Sequence, residues 1–375
     1  MITARSDYPY LGRPNLHLFE PTLESFKYQT IKDFEWIIVD GLYEKRKDYF
    51  KDLELPFGVK HVPLQPNIWY DRGFPGISTQ YNKGIIHADG ELLFFTGDSH
   101  MMQPHFMEHL WKNYQEGFFS LAWYFFDNSF AVPAQDLAPG EKKQFNIAYP
   151  NQKAEAPVKY DMLGYSGKVV SVEHRYIETF QKSGHDKYSV PWQWWFGCSS
   201  ASLESMLKIN GFDQNFDGDR MLLDCDVGSR LEMAGYAPRF AFFKDVFLIR
   251  CATDINKWNQ KIQKDRITIK CNYGLMWHSR FFNNYRANTS RLSDYDIDWI
   301  KGVFCKQHCP IRELCAREHK WQFPFEHKSG YAGHRSSKRW FNFWKEHQGF
   351  IDLEEERELR FDGKKYTEGT FVGES

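Results

Sequence analysis

A carboxylate and an imidazole stand two residues apart at the end of an apolar run. Between Asn82 and His100, the run Leu92-Leu93-Phe94-Phe95 is followed by Gly97, Asp98, Ser99 and His100. Alternate residues of an extended chain point the same way, so Asp98 and His100 can face one crevice. The carboxyl end of a buried strand is where α/β sheets bind ligands. The chemistry on offer is a divalent-metal and nucleotide-phosphate site; the other reading is a polar loop capping a strand. Asp40 ends a second buried run, Trp36-Ile37-Ile38-Val39, and is followed by Gly41. Asp224, in Leu222-Leu223-Asp224-Cys225-Asp226-Val227-Gly228-Ser229-Arg230-Leu231, opens a helical pattern that closes near Gly235. An acid at that position is favoured by the helix dipole and can cap the helix, or it can serve as a general base.

The elements that must position these residues follow from pattern. Pro21 to Gln29 is helical by its apolar spacing, Glu35–Gly41 and Gly58–Val62 are strands, Ile77–Ala88 is a helix and Glu91–Thr96 a strand. This β-α-β-α-β rhythm predicts an α/β fold with a mostly parallel sheet covered by helices, with Asp40 and Asp98 on one sheet edge. From 131 to 190 prolines and lysines break the pattern, which implies either an acceptor-side insertion or a tolerated surface excursion, with a small hairpin around Lys168–Val172. Pro191 to Ser200 brings Trp192, Trp194 and Trp195, suited to lining a cleft or to packing a core. A short helix, Leu203 to Asn210, stops at Gly211.

Composition narrows the classes. A formal charge of −1 gives no global attraction to nucleic acid or anionic lipid, so any such affinity is local. Hydrophobic content of 42% with 26% charged residues is that of a globular protein, and 375 residues suffice for one large domain plus an appendage. No apolar run reaches the length of a membrane span. The start, Met1-Ile2-Thr3-Ala4-Arg5, runs into a strand without a secretory signal, and seven cysteines do not form a secreted disulfide framework; a cytoplasmic setting is expected.

Late in the chain Cys305, Cys309, Cys315 and His319 form C-x3-C-x5-C-x3-H. Three thiolates and an imidazole suit tetrahedral Zn2+. An iron–sulfur cluster that adds Cys271 is an alternative, and reduced, inert cysteines are another. Residues 319–348 interleave aromatics with bases, as a nucleic-acid groove does, or as a helix packing on its own domain does. The acidic tail from Asp352 to Glu358 is a solvated helix or a flexible end.

Taken in order, four segments resemble the family 2 glycosyltransferases of the GT-A fold. They are the first strand with Thr3 and Arg5, Asp33-Phe-Glu-Trp-Ile-Ile-Val-Asp-Gly41, Asn82 through His100, and Gly211-Phe212-Asp213 leading into Leu223–Leu231. The likeness covers roughly residues 1 to 285. It implies a GT-A domain over 1–290 with an insertion at about 131–190; beyond it lies a C-terminal appendage over 291–375, whose Cys309, Cys315 and His319 (C-x5-C-x3-H) resemble the CCCH zinc fingers. It also implies that Thr3 and Arg5 contact the nucleotide, that Asp40 bonds the base and that Asn82 lies near the ribose or diphosphate. Asp98 and His100 match the family's Asp-x-Asp metal motif, with His278 completing the site. Asp224 matches the acid that deprotonates the acceptor hydroxyl, and Asp226 supports it.

One departure stands out. His100 replaces the second motif carboxylate, and an imidazole suits Mn2+ better than Mg2+. The implied activity is transfer of a sugar, with inversion, from a nucleotide-sugar donor (a UDP-sugar by family default) to an acceptor hydroxyl. A hydroxymethylated pyrimidine in DNA is the first acceptor expected, because the zinc-finger-like module and the basic-aromatic segment suit nucleic acid. A cell-surface glycan or lipid-linked precursor is the alternative, and a non-catalytic sugar-nucleotide-binding module a third.

Overall fold

The computed structural model of the protein describes residues 2–5, 22–23, 25–41, 43–51, 54–64, 76–97, 100–127, 159–162, 165–168, 171–172, 180, 184–195, 198–217, 222–251, 267–300, 321–322, 326–327, 351–361 and 370–372. The N-terminal half is built from β1 (Ile2–Arg5), β2 (Glu35–Asp40), α1 (Tyr43–Lys51), β3 (Gly58–Pro63), α2 (Ile77–His87) and β4 (Leu92–Thr96). β1 runs parallel to both β2 and β4, and β2 is parallel to β3. Such strands are buried on both faces, and β2 accordingly reads as a near-continuous apolar run, Trp36 to Val39 being fully buried.

The sheet is completed by two antiparallel edges, β11 (Ser200–Ser202) on β4 and β15 (Thr370–Val372) on β3, giving the order β11-β4-β1-β2-β3-β15. In chain order, β5 (His100–Met102), α3 (Phe106–Gln115), β6 (Phe119–Asp127), β7 (Lys159–Met162), β8 (Tyr165–Lys168), β9 (Ser171–Val172) and β10 (Lys187–Ser189) come first. β11 (Ser200–Ser202), α4 (Leu203–Lys208), α5 (Leu223–Met233), β12 (Phe240–Cys251), α6 (Ile267–Phe281) and α7 (Asp294–Trp299) follow. Last are a two-strand ladder of β13 (Trp321–Gln322) with β14 (Glu326–His327), then α8 (Leu353–Phe361) and β15 (Thr370–Val372). The result is a mixed α/β architecture. A second sheet, β10-β12-β6-β9, has β12 parallel to β6 and β5 added to the far end of β12.

Most local expectations survive contact with the structure. The strand and helix bounds at 35–40, 58–63, 77–87, 92–96, 203–208 and 223–233 match the pattern. The hairpin falls earlier than expected, since β7 pairs antiparallel with β8 at 159–168. The acidic tail forms α8 and is anchored rather than flexible. Leu353 is fully buried, and Arg357 donates to the carbonyls of Ile85 and Ala88 at 2.7 and 2.5 Å. Both carbonyls lie in the last turn of α2 or just past it, where main-chain partners run out, so the tail caps that helix.

Gly211 is the position where backbone freedom is indispensable. Its φ is +71°, and a Cβ there would collide with Asn82 Oδ1 and lie 2.5 Å from Leu353 Cδ1. Gly211→Ala is therefore expected to cost about 1–3 kcal/mol in chemical denaturation, since both a strained φ and overpacking act together. Stability equal to the parent would show that this corner repacks freely.

Candidate functional site at the β1/β4 edge

The chain order of the parallel strands fixes where a ligand crevice can form. From β1 it steps outward to β2 and β3, then returns to the other side of β1 as β4. The strand order reverses between β1 and β4, and a crevice opens outside the carboxyl ends of strands at such a switch point. Thr3 of β1 pairs with Thr96, the last residue of β4, while Arg5 pairs with Asp40, the last residue of β2. The ends of three strands thus converge. The side chains of Thr3 and Arg5 lie outside the described residues, as do Asp98 and Ser99.

After β4 the chain passes to β5, which pairs with β12 in the second sheet. The His100 imidazole packs on Gly97, where a Cβ would sit 3.0 Å from Cε1. Its Nδ1 is 3.3 Å from Thr96 Oγ1 and 4.0 Å from Cys198 Sγ, and the residue is buried. The Asp40 carboxylate is fully buried and 3.1 Å from His61 Nε2 on β3. A base contact from Asp40 would require that carboxylate to leave His61.

Asn82 has become a clamp across 130 positions of sequence. Its Nδ2 donates to the Phe212 carbonyl and its Oδ1 accepts from the Phe212 N–H, both at 2.8 Å. The same loop returns a second favour to α2. Asp217 accepts from the N–H groups of Ser78 and Thr79 at 2.7 and 3.1 Å, occupying the positive end of that helix.

α5 brings the acids. It starts directly after Leu222, whose φ of +74° is a rare conformation for a bulky residue and is stored strain at the mouth of the helix. Asp224 sits in the first turn, half-buried, its Oδ1 accepting from the Cys225 N–H at 2.9 Å. Burial, together with Asp224 and Asp226, pushes the Cys225 thiol far above its ordinary range, so it is no nucleophile. One turn on, Gly228 leaves room for the Trp192 carbonyl and the Trp195 side chain, which would both clash with a Cβ. Trp195 also packs edge-on against Phe95 of β4 at 5.9 Å. The tryptophan segment is therefore core, and it ties the middle of α5 to β4.

Asp226 lies on another side of α5, fully buried. Arg230 Nε donates to its Oδ2 at 2.6 Å, and Arg230 Nη2 donates to Asp213 Oδ2 at 2.9 Å. The guanidinium also donates to Ser279 Oγ at 2.8 Å and the Asn284 carbonyl at 2.9 Å. Burial raises the Asp226 carboxyl to about 7, with Arg230 pulling down and Asp213 adding to the rise. His278 is held by Asp296 at 3.0 Å, between the rings of Phe282 and Trp299. Burial lowers its pKa, partly offset by Asp296.

The structure holds His100 against the end of β4 and packs the middle of α5, at Gly228, onto Trp192 and Trp195. It gives Asp226 and His278 neighbours of their own. Arg230, Asp213 and Asp217 were not singled out from sequence; an Asp and an Arg four apart on a helix were the available signal. Cys305, Cys309, Cys315 and His319 lie outside the described residues, as does nearly all of 319–348. Among the described residues there is no group of three or more His, Cys, Asp or Glu placed to hold a metal ion.

No protein-family model matches the chain. No curated protein matches it either. Among solved structures, the crystal structure of S. aureus TarS aligns with a TM-score of 0.39 and 11% identity, covering 84% of this chain and 49% of that one. A crystal structure of S. aureus TarS 1-349 aligns with a TM-score of 0.42 and 12% identity, covering 97% and 83%. The chain spans about half the length of the first of these. Likeness of that degree leaves function to the site's own geometry.

Proposed function

We propose that the protein is a metal-dependent, inverting glycosyltransferase that moves a sugar from a nucleotide-sugar donor to an acceptor hydroxyl. One observation carries the reading. Strand order reverses between β1 and β4, and Trp195 packs between Phe95 of β4 and Gly228 of α5, the helix whose first turn bears Asp224.

In this reading the nucleotide lies along the ends of β1 and β2, near Thr3, Arg5 and Asp40. Asp98 and His100 would hold Mn2+, or Mg2+ less well. A ligating histidine has its other nitrogen held by a partner, as Thr96 holds Nδ1 of His100. Bound there, the cation would supply Lewis-acid stabilisation of the departing diphosphate. Asp224 takes the proton from the acceptor hydroxyl as it attacks the anomeric carbon from the face opposite the leaving group. Asp226 supports that helix start through Arg230, and His278 stands as a further metal ligand only if it leaves Asp296.

The acceptor we favour is a hydroxymethylated pyrimidine in DNA, engaged by the basic-aromatic segment and a Zn2+ module at Cys305, Cys309, Cys315 and His319. A glycan or lipid-linked precursor is the alternative; no helix among the described residues is long and apolar enough to cross a membrane. The deciding assay incubates the full chain with Mn2+, nucleotide sugars and hydroxymethylated DNA, read by nucleoside mass spectrometry. A glycosylated nucleoside that disappears with EDTA is expected. Activity surviving complete chelation would overturn the metal, and absence of both donor hydrolysis and transfer would leave a non-catalytic binding module.

A further inference from the structure

Asn210-Gly211 is the only Asn-Gly pair in the chain. Such a pair is chemically labile when unrestrained, because glycine puts no side chain in the way of ring closure. The Gly211 nitrogen loses its proton and attacks Asn210 Cγ; a C–N bond forms and Nδ2 leaves as ammonia. Water then opens the succinimide to aspartate or isoaspartate, so one water enters and one ammonia departs.

In the folded chain each reacting group is held. Asn210 Nδ2 donates to the carbonyls of Ala287 and Ile351, both at 2.7 Å, and Oδ1 accepts from the Leu353 N–H at 2.9 Å. The Gly211 N–H donates to the Met206 carbonyl at 2.8 Å, and Asn210 is buried. Two of the three bonds to the Asn210 amide thus come from the segment that carries α8.

That segment is seated with little apolar surface. Leu353 is its one buried side chain from Ile351 to Arg360, while Glu354, Glu355 and Glu358 are exposed. Its other anchors are polar: Arg357 on the carbonyls at the end of α2, Arg360 on Asp89 at 2.5 Å, and Asp352 on Arg286 at 3.3 Å. Solvent reaches both ion pairs, and such pairs contribute little. β2 is the contrast, with Trp36 to Val39 fully buried. A segment anchored in this way opens at a lower free energy than a core strand.

We propose that residues 351–361 form a strap over the Asn210-Gly211 corner, and that release of the strap alone, with the core intact, makes Asn210 a modification site. Conversion to aspartate or isoaspartate then keeps the strap from seating again. A carboxylate at 210 has no N–H for the Ala287 and Ile351 carbonyls and sets negative charge against two acceptors. No step involves Asp98, His100 or Asp224, so the inference stands apart from the transferase reading.

The test follows the full chain by peptide mass spectrometry during incubation at mildly alkaline pH, with the urea-unfolded chain as reference. Conversion at Asn210 in the folded parent should be at least about a hundredfold slower than in urea. Arg357→Met, which loosens the strap, should raise the folded rate about tenfold. Val246→Ala, a core change in the second sheet, should leave it at the parental value, because strap release does not require the core to open. Asn210→Asp carries the product directly; its 351–361 peptides should exchange amide hydrogens about tenfold faster than the parent's, with 35–40 unchanged. Should Arg357→Met fail to fold, hydrogen exchange on the parent decides, with 351–361 expected to open ahead of 35–40. The proposal is overturned if Asn210 converts as fast folded as in urea, or if folded Arg357→Met is no faster than the parent. It is equally overturned if Val246→Ala matches Arg357→Met, if 351–361 and 35–40 exchange together, or if Asn210→Asp leaves the strap as protected as before.

Discussion

Arg230→Met is expected to lower the free energy of unfolding by about 3–5 kcal/mol, the range for breaking a buried ion network by removing one partner. Arg230 is 1% exposed and answers two buried carboxylates, Asp226 at 2.6 Å and Asp213 at 2.9 Å. Methionine fills comparable volume but leaves both acids in a low dielectric without their cation. The Ser279 hydroxyl and the Asn284 carbonyl lose a donor in the same step.

The pH dependence gives this prediction its signature. The Asp226 carboxyl is raised to about 7 in the folded protein, from 3.8 for a free aspartate side chain. Between those values the folded chain holds a proton that the unfolded chain has released. The contribution of this group to stability is thus full below about 4 and is lost as pH rises through about 7. Without Arg230 the carboxyl has still more reason to stay protonated, so the cost of Arg230→Met should be larger at pH 8 than at pH 5. Asp226→Asn, which needs no charge, should flatten the parent's decline over that window. Denaturant titrations at the two pH values decide it, and an equal loss at both would contradict the assigned network.

How far these features were visible in the sequence depends on how local their causes are. The bounds of β2, β4 and α2 follow from apolar runs punctuated by Gly41, Gly90 and Gly76, so pattern suffices. The second sheet was missed, although Phe118–Phe126 and Phe240–Ile249 are both strongly apolar. What joins them is a parallel pairing of Phe119 with Phe240, and the central position of β12 is a tertiary fact. The same holds for Asn82. Nothing adjacent to it indicates that its amide would be consumed by Phe212 rather than pointed at a ligand. Asp226 and Asp224 look interchangeable as text. Burial separates them, leaving the first in an ion network and the second half-buried at a helix mouth.

That separation yields the largest functional effect. Asp224→Asn should lower the rate of sugar transfer by roughly 10²–10⁴-fold, the usual contribution of a positioned general base. The amide is nearly isosteric, so its oxygen can still accept from the Cys225 N–H at 2.9 Å and keep the helix start in place. Donor binding, which the reading assigns to the β1/β4 edge, should be unchanged, so kcat falls while the donor KM does not. Unfolding should hardly move, because Asp224 is absent from the Arg230 network. Asp226→Asn is the opposite case: its first effect should be on the stability–pH profile, with any loss of turnover following from a disturbed helix. Measuring both variants for turnover, donor affinity and denaturation separates a base from a scaffold. Near-parental turnover in Asp224→Asn would remove it as the base; equal kinetic losses in both variants would mean that α5 acts only by holding its own shape.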